Sequence, residues 1–326
     1  NGTSQTRAEL FLYLHAGLLR TDLRSGTITP GICSAMPIVS PDQKSLTFTL
    51  RVDVKWDDGS PVTAYDVAFT VKASKFKLTN NPSNKFYFDN VKEVIIDPNN
   101  DKRFTIVMNS VFVQNLAMWC DYPIIRSKSY DPSMAISMVP FDLLNDTSKH
   151  IELDKKLSNW ADTFNSAGSG ADVNSIDGLG PYKLVAAEAG ASWTLEKKKN
   201  HWSENSSAYN EKSYPEKIIF KVNQEPVSQK IELLSQKIDG SGYLGTRLLL
   251  ELQQDSSFNR NYHSKFMDTY GYTYIAMNMH PDGVKYSFIL NDLNVRKALA
   301  SAARIDDMIK VVNKGVNKRV AGPVSP

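Results

Sequence analysis

The sequence is poor in the features that announce most catalytic and membrane proteins. It has only two cysteines, Cys33 and Cys120, in 326 residues. Two thiols cannot build a four-cysteine zinc site, and their spacing fits no disulfide framework. Two buried free thiols are the expectation, with a bridge between them as the alternative. No apolar run approaches the ~20 residues that a membrane-crossing helix needs. The chain opens on Asn1-Gly2-Thr3, without the charged-then-apolar segment of a secretory leader. A secreted chain stripped of its leader opens the same way, so this start does not indicate the cytoplasm. There is no large excess of one charge either. Thirty-eight Lys and Arg against 35 Asp and Glu leave +3, a balance that argues against a nucleic-acid partner. The lysines at 197–199 read as a solvated strand edge.

Catalytic constellations are lacking too. The five histidines, His15, His150, His201, His263 and His280, match neither H-E-x-x-H nor a zinc spacing. His15 reads as a surface or packed helix residue. A G-x-S-x-G elbow is absent; Ser169 comes nearest, but polar loop flanks it rather than strand and helix. The expectation is no enzyme, no metal and no cofactor.

What is present is an ordinary globular chain, 41% hydrophobic and 22% charged, long enough for one large core or two to three domains. Its most informative stretch is SLTFTLRVDVKWDDGSPVTAYDVAFT, residues 45–70. Leu46, Phe48, Leu50, Val52, Val54 and Trp56 alternate with polar residues, the pattern of a half-buried strand. Asp57-Asp58-Gly59 then signals a turn. Thr63 and Asp66 form a capping box with Asp in place of Glu, opening a helix that carries Ala64, Val67, Ala68 and Val71. The acidic turn is not an EF-hand, because the twelfth position from Asp57 is Ala68. It reads as a structural corner.

Elsewhere, residues 6–20 read as a helix with Leu10, Tyr13, Leu14, Gly17 and Leu18 on one face. VKEVIIDPNNDKRFTIVMNS reads as a hairpin, and VQNLAMWCDYPIIRS as a buried segment. LDKKLSNWADTFNSAG has room for a short helix inside a polar region. A second hairpin turns around 188–191, and EKIIFKV makes another strand. EPVSQKIELLSQKIDG reads as a helix ending at Gly240. TYGYTYIAMNM reads as an aromatic strand, and LNVRKALASAARIDDMIKVVNKG as a helix stopped by Gly315. Strands and helices mix without a βαβ beat or repeat, so the fold class is mixed α/β.

The block R-x-x-V-K-W-D-D-G-S-P-V-T-A-Y-D-V-A-F-T resembles the signature of the family 5 extracellular solute-binding proteins, receptors of peptide and nickel ABC importers. TPGICSAMPIVSPDQKSLTFTL, GLGPYKLV, NHWSENS, ELLSQKIDG, YIAMNM with LNVRKALASAARIDDMI, and GVNKRVAGPVSP match further family blocks in order. Gln236 and Lys237 depart from the usual Gly-Glu. The resemblance implies a type II periplasmic-binding-protein-like lobe with an inserted α/β subdomain, the second lobe mostly absent, since family chains run longer. It implies a first lobe at 1–20 and 170–270, an inserted subdomain at 21–169, and a hinge strand with the start of a second lobe at 271–326. It also implies a monomeric, extracytoplasmic receptor, periplasmic or anchored as a lipoprotein. Such a receptor closes on a peptide or other small solute and delivers it to membrane permease subunits. The alternatives are a peptide-sensing receptor domain for signalling and, last, a hydrolase. By alignment, ligand contacts fall at Thr3, Ser4, Gln5, Tyr122, Gly242, Tyr243, Tyr272 and Tyr274, and the acidic turn is a landmark rather than a site.

Overall fold

A computed structural model describes all residues except 1–3, 23–24, 82–84, 113, 121, 167–172, 206–211, 268–270, 282–286, 321 and 323–326. The chain divides into two compact units, 1–222 and 223–326.

The first unit begins with helix α1 (Ser4–Leu14) and a two-stranded ladder of β1 (Leu19–Thr21) and β2 (Ile28–Pro30). Its main sheet is antiparallel in the order β3-β4-β6-β5, from β3 (Ile38–Val39), β4 (Ser45–Thr49), β5 (Val91–Asp97) and β6 (Asn100–Met108). The register sets Phe48 opposite Phe104, whose rings stack at 5.6 Å, and Trp119 meets Phe48 edge-on. Helix α2 (Ala64–Lys75) lies against this sheet. Val67 and Val71 enter the sheet's core, whereas Phe69, Ala73 and Phe76 join a second core with Ile136, Trp160 and Ala161. A helix buried on nearly every side has little polar face to show, and α2 reads that way. The short helices α3 (Lys85–Asp89), α4 (Ser127–Tyr130) and α5 (Phe141–Asn145) follow, and then α6 (Lys155–Ser166), which carries Leu157, Trp160 and Ala161 into the second core. A three-stranded sheet of β7 (Tyr182–Glu188), β8 (Ser192–Lys197) and β9 (Lys217–Lys221) receives α1, with Tyr13 edge-on to Tyr182 and Phe220.

The second unit has a small core of Leu233, Leu248, Leu252 and Phe258, drawn from α7 (Pro226–Leu234), α8 (Thr246–Leu252) and α9 (Ser256–Asn261). Helices α10 (Leu293–Ala302) and α11 (Ile305–Val312) contain no buried residue.

The two hairpins, the capped helix and the helix at α6 stand where the sequence pattern puts them. Asp66 accepts from the Thr63 N–H at 3.0 Å, and its other oxygen accepts from the Ser127 N–H and hydroxyl. Both thiols are buried and free, and burial raises Cys33 to about 12.

Five boundaries differ from the pattern. The expected helix over 6–20 stops at Leu14, because the next carbonyls bond elsewhere: Leu14 to Gly180 N–H, Ala16 to Ile124, Gly17 to Ile32 and Leu18 to Gly31. The alternation over 46–56 is not one strand. The chain bends at Val52, which is 81% exposed, where Arg51 pairs with Asp53 at 2.9 Å. Helix α7 ends at Leu234 rather than Gly240, because Gln236 takes the left-handed conformation (φ 57°) and Lys237 N–H turns back to Glu232 O. Residues 271–280 form no strand, since no neighbouring chain offers them a ladder among the described residues. The last helix is two helices. Arg304 breaks it, and Asp306 and Asp307 start α11, where acids favour a new N-terminus. Gly315 (φ 78°) lies just past that end.

Candidate functional site

The acidic turn is a corner, and it is also an anchor. Gly59 (φ 81°) closes it, and Asp58 accepts from the Ser60 N–H and hydroxyl. Arg126 reaches in from a buried segment. It pairs with Asp58, pairs with Asp177 at 3.1 Å, donates to Ser60 Oγ at 2.8 Å and lies 5.7 Å over the Trp56 ring. Ser129 donates to Asp177 at 2.6 Å, and the Asp177 N–H donates to the Tyr130 hydroxyl. Asp57, Asp58, Arg126, Ser129, Tyr130 and Asp177 line a cleft of about 380 Å³. Hydrogen bonds from Ser60, then Arg126, hold the Asp58 carboxyl far below the usual carboxylate range. Asp57 is engaged by Lys198 at 2.7 Å. The charges of this cleft are spent on one another, so it clamps three chain segments together rather than offering a reactive group. The signal for Arg126 was a lone arginine ending an apolar run, and the sequence reading passed over it.

Beside the cleft, residues 178–180 pass against the end of α1. A Cβ on Gly178 would lie 2.0 Å from Leu14 O, and one on Gly180 2.3 Å from Tyr13 O. Only glycine fits there. Lys198 donates to Gly178 O at 2.6 Å, and the Trp202 indole to Leu179 O.

The residues aligned with ligand contacts fall on both units. Thr3 lies outside the described residues, as does Ser169. Ser4 and Gln5 open α1. Tyr122 packs edge-on against Phe88 at 4.3 Å, and its hydroxyl bonds Ser74 and Asn81 inside the first unit; burial raises it above the ordinary tyrosine range. Gly242 and Tyr243 occupy the loop between α7 and α8, with open space around Gly242 and Tyr243 60% exposed. That loop runs into a groove of about 390 Å³ lined by Val227, Lys230, Arg247, Leu248 and Glu251. Tyr272 and Tyr274 are exposed, their rings 5.6 Å apart. No group of three or more His, Cys, Asp or Glu able to hold a metal ion occurs among the described residues.

The fold is the mixed α/β type of the type II periplasmic binding proteins. The profile of the bacterial extracellular solute-binding proteins, family 5 Middle, matches residues 27–326, and the chain belongs to that family. It is similar to Protein XP55 of Streptomyces lividans, 24% identical over 304 residues that make up 93% of this chain and 45% of that one. Among solved structures it resembles NikZ from Campylobacter jejuni in complex with Ni(L-His), at 22% identity and TM-score 0.69, covering 96% of this chain and 52% of that one. It also resembles the oligopeptide-binding protein AppA from Bacillus subtilis in complex with a nonapeptide, at 17% identity and TM-score 0.70, covering 100% and 55%. The chain thus spans about half the length of the relatives it matches.

Proposed function

We propose that this chain belongs to the receptor of an ABC importer, which captures a peptide-like solute outside the cytoplasm and delivers it to membrane permease subunits. The observation that carries the reading is the family match over residues 27–326. The fold likeness to AppA, solved with a nonapeptide, favours a peptide as cargo. Extended peptides are held largely through their backbone, which suits small residues and exposed tyrosines as contacts. The contacts we assign are Thr3, Ser4, Gln5, Tyr122, Gly242, Tyr243, Tyr272 and Tyr274. In this reading residues 1–20 and 170–270 belong to one ligand-binding lobe, 21–169 to its inserted subdomain, and 271–326 to the hinge and the start of the other lobe. The receptor acts as a monomer, performs no chemistry and needs no cofactor.

Native mass spectrometry of the protein straight from purification tests the cargo. A ladder of added masses that disperses into peptides on denaturation is the expected result. One defined added mass would replace the peptide with a single small ligand. Tyr243→Ala should then weaken binding by about tenfold, the loss typical of an aromatic anchor. Unchanged affinity removes Tyr243 from the site. If the ligand-loaded protein leaves the ATPase rate of its permease unchanged, the transport reading fails.

A further inference from the structure

Two imidazoles touch the glycine seam at 178–180, and both are built to be neutral. His201 is buried, and its Nε2 lies 3.1 Å from Leu179 O. A carbonyl only accepts, so Nε2 carries the proton. Nδ1 is then the acceptor, and it takes the Ser203 N–H at 3.3 Å and faces the Ser203 hydroxyl at 2.8 Å. A second proton on this ring would set a donor against the Ser203 N–H. His15 follows α1, with its ring 5.9 Å from that of Phe11. Its Nδ1 has no solvent access and no hydrogen-bond partner among the described residues, and it sits 2.9 Å from where a Cβ of Gly178 would be.

The charged neighbours are few and already committed. Lys198 faces both rings, Asp177 faces His15 and Asp57 faces His201. Lys198 holds Gly178 O and Asp57, and Asp177 holds Arg126 and Ser129. A proton on either ring therefore adds a buried cation beside a fixed ammonium, with no uncommitted carboxylate among the described residues to meet it.

We propose that the seam is a proton-operated latch: protonation of His201 and His15 unfastens the end of α1 from residues 178–180. Burial, the largest cause at each ring, together with Lys198 lowers both histidines to about 4, while Asp177 beside His15, and the Leu179 carbonyl and Asp57 beside His201, pull the other way. An imidazole released to solvent returns to its ordinary value near 6.5. Between those limits the open form binds more protons than the latched form, so opening grows as pH falls, by at most about tenfold per pH unit for each histidine.

Amide hydrogen exchange on the full chain reads the latch directly. The Gly180 N–H donates to Leu14 O and the His15 N–H to Phe11 O, whereas the amides of β5 and β6 serve as an internal control. From pH 6 to 4, corrected for intrinsic exchange, Gly180 and His15 should lose protection by tenfold or more per pH unit while β5 and β6 hold theirs. His201→Gln keeps a donor toward Leu179 O and takes up no proton, so the pH slope at Gly180 should drop by about tenfold per unit. An unchanged slope in H201Q overturns the proposal. So does Gly180 protection that stays flat with pH or falls only in step with β5 and β6. If H201Q does not fold, the wild-type imidazole titration decides: a His201 midpoint near 6.5 with Gly180 still protected overturns the latch. Ser4 and Gln5 open the same helix, so acid weakening of ligand binding rests on the receptor reading as well. Gly180 exposure without ligand loss counts against those contacts, and ligand loss without Gly180 exposure counts against the latch.

Discussion

The two units are built to different standards. Residues 1–222 bury Trp119, Phe48, Phe69, Phe76, Phe88 and Phe104 almost completely, in two cores that share α2. Among the described residues, 223–326 bury five hydrophobic side chains, four of them in one cluster, and α10 and α11 contribute none. Hydrophobic stabilisation follows the apolar area removed from water. The first unit therefore owns its stability, and the second has little of its own.

The largest test of that contrast is a pair of truncations. Phe48→Ala removes a ring stacked on Phe104 and should cost about 3–5 kcal/mol. Leu252→Ala, in the second unit's core, should cost about 2–5 kcal/mol of that unit's stability alone. The five tryptophans all precede residue 223, so denaturation followed by tryptophan fluorescence reports the first unit. F48A should lower that midpoint. L252A should leave it in place while amide exchange across α7, α8 and α9 rises. If both variants shift the fluorescence midpoint equally, the units are not energetically separate.

The contrast also marks where the sequence was legible. In the first unit, alternation over residues 91–108 and helical spacing after Thr63 named the right elements, because each apolar face had a core to meet. The failures came where tertiary contacts outbid local pattern. Leu18 suits a helical face, yet Gly31 and Cys33 claim its carbonyl. In the second unit the pattern over 269–279 asked for a strand, but residues 271–279 have no neighbouring strand among the described residues, and a strand without one has nowhere to place its backbone hydrogen bonds. Of the candidate sites, the corner at 57–59 was readable from its turn residues. The Arg126 clamp was not, because its partners Asp58 and Asp177 lie far away in sequence.

Smaller changes sharpen the comparison within the first unit. Gly180→Ala sets a Cβ 2.3 Å from Tyr13 O and should cost about 1–3 kcal/mol, the range for overpacking. The loss should appear as faster exchange of α1 amides before any change in α2. Lys75 gives a pH handle on the main core. Its ammonium is buried and donates to Phe88 O and Val91 O, and burial lowers its pKa to about 8. The unfolded lysine, near 10.4, binds more protons between those values, so stability should rise as pH climbs from about 8 to 10. Lys75→Met should flatten that rise in thermal melts of the first unit. A slope that survives in K75M belongs to another group.

The smallest expected effect is the most informative about the second unit. Ile305, Met308, Ile309 and Val312 recur at helical spacing along α11, a face that periodicity alone would assign to a core. Met308 is 49% exposed and Val312 64%. Surface substitutions away from packed features shift stability by about 0.5 kcal/mol or less, so Val312→Ser should leave the exchange-derived stability of the second unit nearly unchanged. The same swap at a buried valine removes its share of core burial, about 1.5–3 kcal/mol for a full side chain. If V312S costs that much, the α11 face is covered in the working protein. The weakness of the second unit would then be a property of the isolated fold rather than of its function.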